Sequence, residues 1–218
     1  MRAVLALSAL VAVATCQFLD TPSLQSGHNA WPEIKIPDGY YIHYAVYTFN
    51  QTSRLLTPYE DLRVREYFDM NEGRSLSFYD FGNASRNRDN DTSVYVDFEK
   101  QYYTVMTPHH NKCETKPHFV TADNIAKFFK SLKNPKSNLT SYHGIHNAPF
   151  SKKTKYHKFQ ITLPTGHHNQ PVTTSFYFTV LGGKLRYIHN EARNIVFTTT
   201  GIKPRVFNDA FFSKYMTC

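Results

Sequence analysis

Alternating runs of aromatic and β-branched residues constrain this chain more than any other feature. Residues 40–49 carry such side chains on both alternating faces, which is typical of a strand covered on both sides. Further strands are predicted over 62–69, 76–81, 93–98, 101–106, 156–163, 172–181, 184–189 and 194–200. Short links at 99–100 and 182–183 predict hairpins. We therefore expect about nine antiparallel strands.

One amphipathic helix interrupts the strands. Its apolar residues recur at helical spacing and are Ile125, Phe128, Phe129 and Leu132. Cap-forming residues precede them and Pro135 follows, so we predict a helix over 121–133. Residues 134–155 are polar and rich in turn formers, which predicts a long loop. The segment 207–215 predicts a second, short helix.

Residues 1–16 have the composition of a secretory signal peptide. Arg2 precedes an uncharged apolar run over 3–14, and small residues lie before the polar Gln17. The run is shorter than the roughly 20 residues that a membrane-spanning helix needs. We expect residues 17–218 to form a single β-rich, ligand-binding domain that is secreted to the extracellular space. A lysosomal or endosomal location is the alternative.

Two further features indicate the oxidising secretory pathway. Glycosylation acceptor sequences occur at Asn50, Asn83, Asn90 and Asn138. Removal of the signal peptide would leave only Cys113 and Cys218, for which we predict one intramolecular disulfide. The alternatives are that these thiols stay reduced or pair between chains.

Basic residues exceed acidic ones, with 25 Lys+Arg against 17 Asp+Glu and a net charge of +8. The densest cluster is predicted to contact anionic headgroups and consists of Lys152, Lys153, Lys155 and Lys158. A secreted protein does not meet nucleic acid, so anionic membrane surfaces or sulfated glycans are the expected partners. The alternative is a solvated loop without a partner.

Enzyme and metal motifs are absent from the sequence. It contains no nucleophile elbow, no H-E-x-x-H, no phosphate-binding loop and no dinucleotide-binding turn. The 11 histidines lie largely in polar, turn-rich segments, without cysteines or carboxylates spaced to complete a zinc site. We therefore predict a binding protein, not an enzyme, without a metal or cofactor. A histidine network that senses acidic pH is a further interpretation.

The aromatic residues suggest a ligand pocket. A curved sheet closed by an amphipathic helix forms a concave apolar surface, the usual shape of a lipid site. The residues predicted to line it are Tyr44, Val46, Tyr67, Phe78, Val96, Tyr103, Phe128, Phe159, Phe176 and Phe178. The alternative is an ordinary sandwich core that encloses no cavity.

Four short motifs make the chain similar to ependymin-related proteins. They are Arg-Val-Arg-Glu-Tyr at 63–67, Ser-Phe-Tyr-Asp at 77–80, Tyr-Tyr-Thr-Val at 102–105 and Cys-Glu-Thr-Lys at 113–116. The resemblance implies two stacked, curved antiparallel sheets like those of bacterial LolA-type lipoprotein carriers. It also implies a deep hydrophobic pocket for lipid-like ligands. Calcium binding is implied by this resemblance alone, as the alternative to the predicted absence of a metal.

These features predict a mainly β fold, with curved antiparallel sheets that form a half-barrel or sandwich and one or two packed helices. The predicted function is that of a secreted glycoprotein that binds a hydrophobic or amphipathic, lipid-like ligand in the sheet. A cationic extracellular adhesion or matrix-binding protein without a pocket is the first alternative. A hydrolase whose site the sequence does not reveal is the second.

Overall fold

The computed structural model describes residues 31–82, 92–107, 112–118, 121–134, 139–151, 153–163 and 172–218. The predicted signal peptide, Asn83, Asn90, Asn138 and Lys152 lie outside the described residues. The first six strands are β1 Gly39–Asn50, β2 Leu55–Asp69, β3 Arg74–Phe81, β4 Thr92–Asp97, β5 Tyr102–Thr107 and β6 Lys112–Pro117. The others are β7 Ser141–Asn147, β8 Lys155–Leu163, β9 Val172–Thr179, β10 Leu185–Asn190, β11 Ile195–Thr198 and β12 Lys203–Pro204. The helices are α1 Ala122–Lys133 and α2 Asp209–Ser213.

The described strands form one antiparallel sheet with the order β6-β5-β4-β3-β2-β1-β11-β10-β9-β8-β7, and β12 also pairs with β1. Strands β1 to β6 form a first meander, here called the first arm, and β7 to β11 form a second arm. The arms meet where β1 pairs with β11. Because α1 follows β6 and precedes β7, this helix connects the two edges of the sheet.

Bulges interrupt the ladders in both arms, and bulges bend a strand and increase its twist. The β1–β2 register shifts between Ala45 and Tyr47, where Glu60 and Asp61 on β2 have φ angles of 50° and 51°. The β7–β8 register shifts near Gly144, whose φ of 90° favours glycine. These irregularities allow the sheet to curl, so that both arms contribute side chains to one inner core.

The inner, concave face is closed by α1. On one side of the helix, Phe129 contacts Tyr40 and Phe68 with ring centroids 6.2 and 5.5 Å apart. On the other side, Phe128 contacts Phe176 of the second arm at 5.7 Å. Phe128 is fully buried and Phe129 is nearly so. The apolar face of the helix therefore joins the two arms through the core.

The segment before β1 fastens the end of this helix. Trp31 Nε1 donates a hydrogen bond of 3.0 Å to the carbonyl oxygen of Leu132. Lys133 Nζ donates one of 3.0 Å to the carbonyl oxygen of Ile36. The Trp31 ring also packs against Phe159 of β8, with centroids 5.2 Å apart. Residues 31–36 thus tie α1 to the second arm.

The outer face of the first arm is covered by the C-terminal segment 205–218, which includes α2. Phe212 packs into a second core cluster with Leu76 and Tyr95. The buried Arg74 side chain places Nη2 3.2 Å from Asp69 Oδ2 and Nη1 2.9 Å from Asp209 Oδ1. The same segment is tied to β6 by the Cys113–Cys218 disulfide, which confirms the predicted pairing.

The predicted fold class is confirmed, because the described residues form a curved antiparallel sheet with two short helices. The predicted helices and hairpins are also present. The loop predicted over 134–155 is wrong, since β7 lies within it and pairs with β8. Strand β7 was missed because its sequence, SYHGIHN, is polar and contains the glycine of the bulge. Strands β6 and β12 and the first half of β2 were missed as well.

We predict that Cys218→Ser lowers the free energy of unfolding by about 4–5 kcal/mol, as expected for a crosslink that closes a loop of about 100 residues. The two cysteines are separated by 105 positions. Urea unfolding of oxidised protein measures the loss. Under reducing conditions the unmodified chain and the variant should have equal stability. Equal stability under oxidising conditions would contradict the stabilising role of the bridge.

Candidate functional site

The structure places most of the predicted pocket residues on the inner face. The inner core contains Tyr44, Val46, Val96, Phe128, Phe159, Phe176 and Phe178, with Tyr103 packed against it. Tyr67 and Phe78 lie instead on the outer face, in the cluster covered by the C-terminal segment. Strand alternation explains the difference, because the neighbouring residues Phe68 and Tyr79 point inward. Tyr67 and Phe78 therefore do not share a surface with the other eight.

The inner face also carries a group of polar side chains, here called the inner polar cluster. Its members are at most 3% exposed and are Tyr40, Tyr44, Glu66, Ser75, Ser77 and Tyr79. The sequence does not mark Glu66 as a site residue, because its neighbours Arg63 and Arg65 indicate a half-exposed strand. The alternation of side chains along β2 could have indicated its position. Glu66 lies two residues from both Val64 and Phe68, which face inward, so it lies on the same face of the strand.

The strand register brings these polar side chains together. Glu66 lies opposite Ile42 of β1 and opposite Ser77 of β3. Tyr40 and Tyr44 are two positions before and after Ile42, so both are diagonal neighbours of Glu66 on the same face. Strands β1, β2 and β3 therefore surround one carboxylate with hydroxyl groups in the middle of an apolar core.

Burial and the carboxylate together keep the phenols protonated. Burial raises the pKa of Tyr40, Tyr44 and Tyr79, and the nearby Glu66 carboxylate raises each of them further. Each phenol thus remains available to donate a hydrogen bond. The hydroxyls of Tyr40, Tyr44 and Ser75 are buried without a hydrogen-bond partner among the residues that the structure describes. A buried polar group in that condition costs about 1–3 kcal/mol, so a polar ligand group placed here would be bound favourably.

A second concave feature lies on the outer side of the second arm. It is a surface cleft of about 380 Å³, lined by Phe49, Gln51, Arg54, Asn147, Ala148, Pro149 and Ser151. His189 is buried next to it, with ring centroids 5.5 Å from Phe49 and 5.7 Å from Phe150. Burial lowers the pKa of His189 and Lys158 lowers it further, while Glu191 opposes both effects. The cleft is separate from the inner polar cluster and shares none of its residues.

The described members of the predicted lysine cluster, Lys153, Lys155 and Lys158, differ in their surroundings. Lys153 and Lys155 are exposed and have no ion pair with any residue in the described part of the chain. Lys158 is partly buried, and its Nζ lies 3.8 Å from Glu191 Oε1. That carboxylate also accepts hydrogen bonds of 2.5 Å from Ser175 Oγ and 2.9 Å from Gln160 Nε2. Lys158 thus belongs to a polar network on the outer face.

One serine–histidine pair bears on the hydrolase alternative. Ser141 Oγ and His143 Nε2 are 2.9 Å apart, a distance at which a histidine could activate a nucleophile. Ser141 Oγ also donates toward the carbonyl oxygen of Gln160 at 3.4 Å. A hydroxyl has only one proton to donate, so the Gln160 carbonyl oxygen competes with His143 for the proton that a nucleophilic serine would have to lose. The arrangement supports a structural role.

Asn50, the one predicted glycosylation position among the described residues, lies at the start of a turn. Asn50 is exposed, and its Oδ1 accepts hydrogen bonds from the backbone N–H groups of Thr52 and Ser53 in the turn after β1. Within the described ranges no group of three or more His, Cys, Asp or Glu residues is placed to hold a metal ion. The helices of the same ranges include none that is long and apolar enough to cross a membrane.

We predict that His189 makes stability depend on pH. The folded state keeps its buried ring neutral, whereas the unfolded chain takes up a proton below a pKa of about 6.5. Stability is therefore full above that pH and falls as the pH drops toward the lower, folded-state pKa. His189→Asn should flatten this fall, which for one group is at most about 1.4 kcal/mol per pH unit.

Urea unfolding between about pH 7.5 and 5 measures the slope. Gln51→Ala, which lies in the wall of the same cleft and removes no titratable group, is the control and should keep the original slope. Identical slopes for the unmodified chain and His189→Asn would contradict the prediction.

No protein-family model matches the chain, and no curated protein matches it. Its structure is similar to the crystal structure of an uncharacterized conserved protein from Thermus thermophilus, with 8% sequence identity and a TM-score of 0.44. The similarity covers 80% of this chain and 85% of that one.

Proposed function

We propose that this chain is a secreted carrier that binds an amphipathic, lipid-like ligand on the concave face of its sheet. The observation that carries the proposal is the inner polar cluster. Ligand sites typically combine an apolar surface with a few convergent polar groups that fix the ligand's orientation. Here Tyr40, Tyr44 and Ser75 present hydroxyls that no described residue bonds, inside an otherwise apolar core.

The rings around this cluster supply the apolar part of the site. Phe68 of the first arm and Phe176 of the second arm are fully buried on the same inner face. Both contact α1, through Phe129 and Phe128 respectively. A hydrocarbon chain that replaced these two helix side chains would meet aromatic surface from both arms.

Ligand entry then requires α1 to move away from the sheet. The helix contributes no strand to the sheet, so its departure leaves every ladder hydrogen bond in place. Its end is held by the two hydrogen bonds from Trp31 and Lys133. The cost of opening is mainly the loss of the core contacts of Phe128, Phe129 and Leu132, which a hydrocarbon chain would replace.

Two further observations support this proposal, one on the cellular compartment and one on the site. The Cys113–Cys218 disulfide is typical of oxidising compartments. The motifs similar to ependymin-related proteins also lie on the strands that form the cluster, since Glu66 belongs to 63–67 and Tyr79 to 77–80. Native mass spectrometry of protein purified from its own source would detect a lipid that copurifies with it.

We predict that Tyr44→Phe weakens ligand binding without destabilising the protein. The hydroxyl has no partner in the described structure, so its removal should leave the free energy of unfolding unchanged or raise it. Affinity for lysophosphatidylcholine, used as the probe, should fall about three- to tenfold, the value of one hydrogen bond.

Titration followed by native mass spectrometry measures this affinity. Tyr177→Phe is the matched control, because Tyr177 is equally buried but packs in the Ala148 and Tyr156 cluster of the outer face. It should bind the probe like the unmodified chain. Equal affinity of all three proteins would exclude the inner polar cluster as the binding site.

We also predict that ligand binding changes the fluorescence of Trp31, the single tryptophan. Its indole is bonded to Leu132 of α1 and packed on Phe159. Departure of the helix should expose the indole to water and shift its emission to longer wavelength during the same titration. Saturable lipid binding with no change in emission would contradict helix displacement.

A further inference from the structure

We infer that the outer face of β1, β2 and β12 is a binding surface for sulfated glycans. The surface, here called the cationic face, consists of His43, Arg65, Lys203 and Arg205, and all four side chains are exposed. It lies on the opposite side of the sheet from the inner polar cluster. The inference therefore does not depend on the proposed ligand site.

The strand register brings these cations together. His43 of β1 lies directly opposite Arg65 of β2. Tyr41, two positions before His43 on the same face, lies opposite Lys203 of β12. Arg205 follows β12, and its backbone N–H donates to the carbonyl oxygen of Gly39 at 2.9 Å. Side chains directly opposite one another are about 5 Å apart at Cβ, so the cations form one continuous patch.

Aromatic rings hold three of these cations in place. The Arg65 guanidinium lies 5.1 Å from the centroid of Phe78, and Lys203 Nζ lies 5.4 Å from that of Tyr41. Arg205 is surrounded by three rings at 4.8 to 5.3 Å, which are those of Tyr67, Phe207 and Phe211. Stacking fixes a guanidinium while leaving its N–H edges directed outward. The cations are therefore already ordered for an anion.

Acidic partners do not neutralise these cations within the described part of the chain. No carboxylate of the described residues forms an ion pair with Arg65, Lys203 or Arg205. Arg74, by contrast, forms ion pairs with two carboxylates, those of Asp69 and Asp209. The cations of this face also act on His43. Partial burial lowers the pKa of His43, and the nearby charges of Arg65 and Lys203 lower it further. Like charges held together repel one another, and a polyanion would relieve that repulsion.

The chemistry favours sulfated glycans over other polyanions. A guanidinium fork fits the oxygens of a sulfate group in a bidentate manner. Insertion into a membrane needs apolar side chains, but the rings of the cationic face are engaged with its cations, and Val206 is the one strongly exposed apolar residue described beside it. The proposed secretion places the chain where sulfated glycans occur.

Heparin, used as the probe, tests the cationic face. The double variant Arg65→Gln/Lys203→Gln should reduce heparin affinity at least tenfold at about 0.15 M salt. The double variant Lys153→Gln/Lys155→Gln carries the same charge change at the predicted lysine cluster and should alter the affinity less than twofold. Isothermal titration measures both, and circular dichroism verifies that both variants fold.

Three outcomes would overturn the inference. One is an equal loss of affinity in the two variants, which would mean that heparin senses only net charge. Another is undiminished binding by Arg65→Gln/Lys203→Gln. The third is tighter binding, through the same residues, to phosphatidylserine vesicles or to DNA of equal charge, which would assign the surface to a membrane or to nucleic acid.

The pKa of His43 gives a second readout, which a general loss of protein stability would not reproduce. The charged groups that face it are Arg65 and Lys203, beside the ring of Tyr41 at 5.3 Å. A sulfated chain bound here would neutralise both cations and raise the pKa of His43, so heparin should bind more tightly as the pH falls through that pKa. NMR titration of the His43 ring with and without heparin measures the shift. An unchanged His43 pKa at saturating heparin would place the binding elsewhere.

Discussion

Contact between the apolar face of α1 and both arms of the sheet is the interaction on which the remaining structure depends. Open twisted sheets seldom exceed about ten strands without curling, and a curled sheet must cover its concave face. Phe129 packs on the first arm and Phe128 on the second, so the helix satisfies this requirement for both. The chain order makes it possible, because α1 connects the two edge strands β6 and β7 and so crosses between the edges that it joins.

The outer face is covered in a different way. Instead of a second sheet, the C-terminal segment packs Phe212 on the first arm, and Ala148 and Phe150 pack with Tyr177 and Tyr187 of the second. Arg74 links the C-terminal segment to β2 through its two carboxylate partners. This partial cover leaves the strands between the two segments accessible, and the cationic face lies on them. The two faces of one sheet thus offer different chemistry, with hydroxyls in an apolar core inside and stacked cations outside.

The sequence predicted those elements whose side chains alternate or repeat with a clear period. Strand β1 and helix α1 are of this kind, because their apolar positions are dictated by burial. Strands β6 and β7 lie at the edges of the sheet, where exposure permits polar sequences such as KCETKP, and no hydrophobic period marks them. The site was harder to predict, since composition alone cannot assign a face. Tyr67 is predicted to line the inner face of the sheet but lies on its outer face. Glu66 carries a charge, which argues for exposure, yet it is fully buried on the inner face.

The short connections of α1 have a thermodynamic consequence. Only a few residues separate Pro117 of β6 from Ala122 of the helix, and β6 is itself pinned through Cys113. A segment tethered in this way meets its own binding surface at an effective concentration on the order of millimolar. The helix is therefore an intramolecular competitor for the concave face, and any ligand must outcompete it. The affinity measured for the whole chain would therefore report the free energy of ligand binding minus that of α1 binding to the same face. The sequence of α1 would then set the ligand concentration at which the protein becomes occupied.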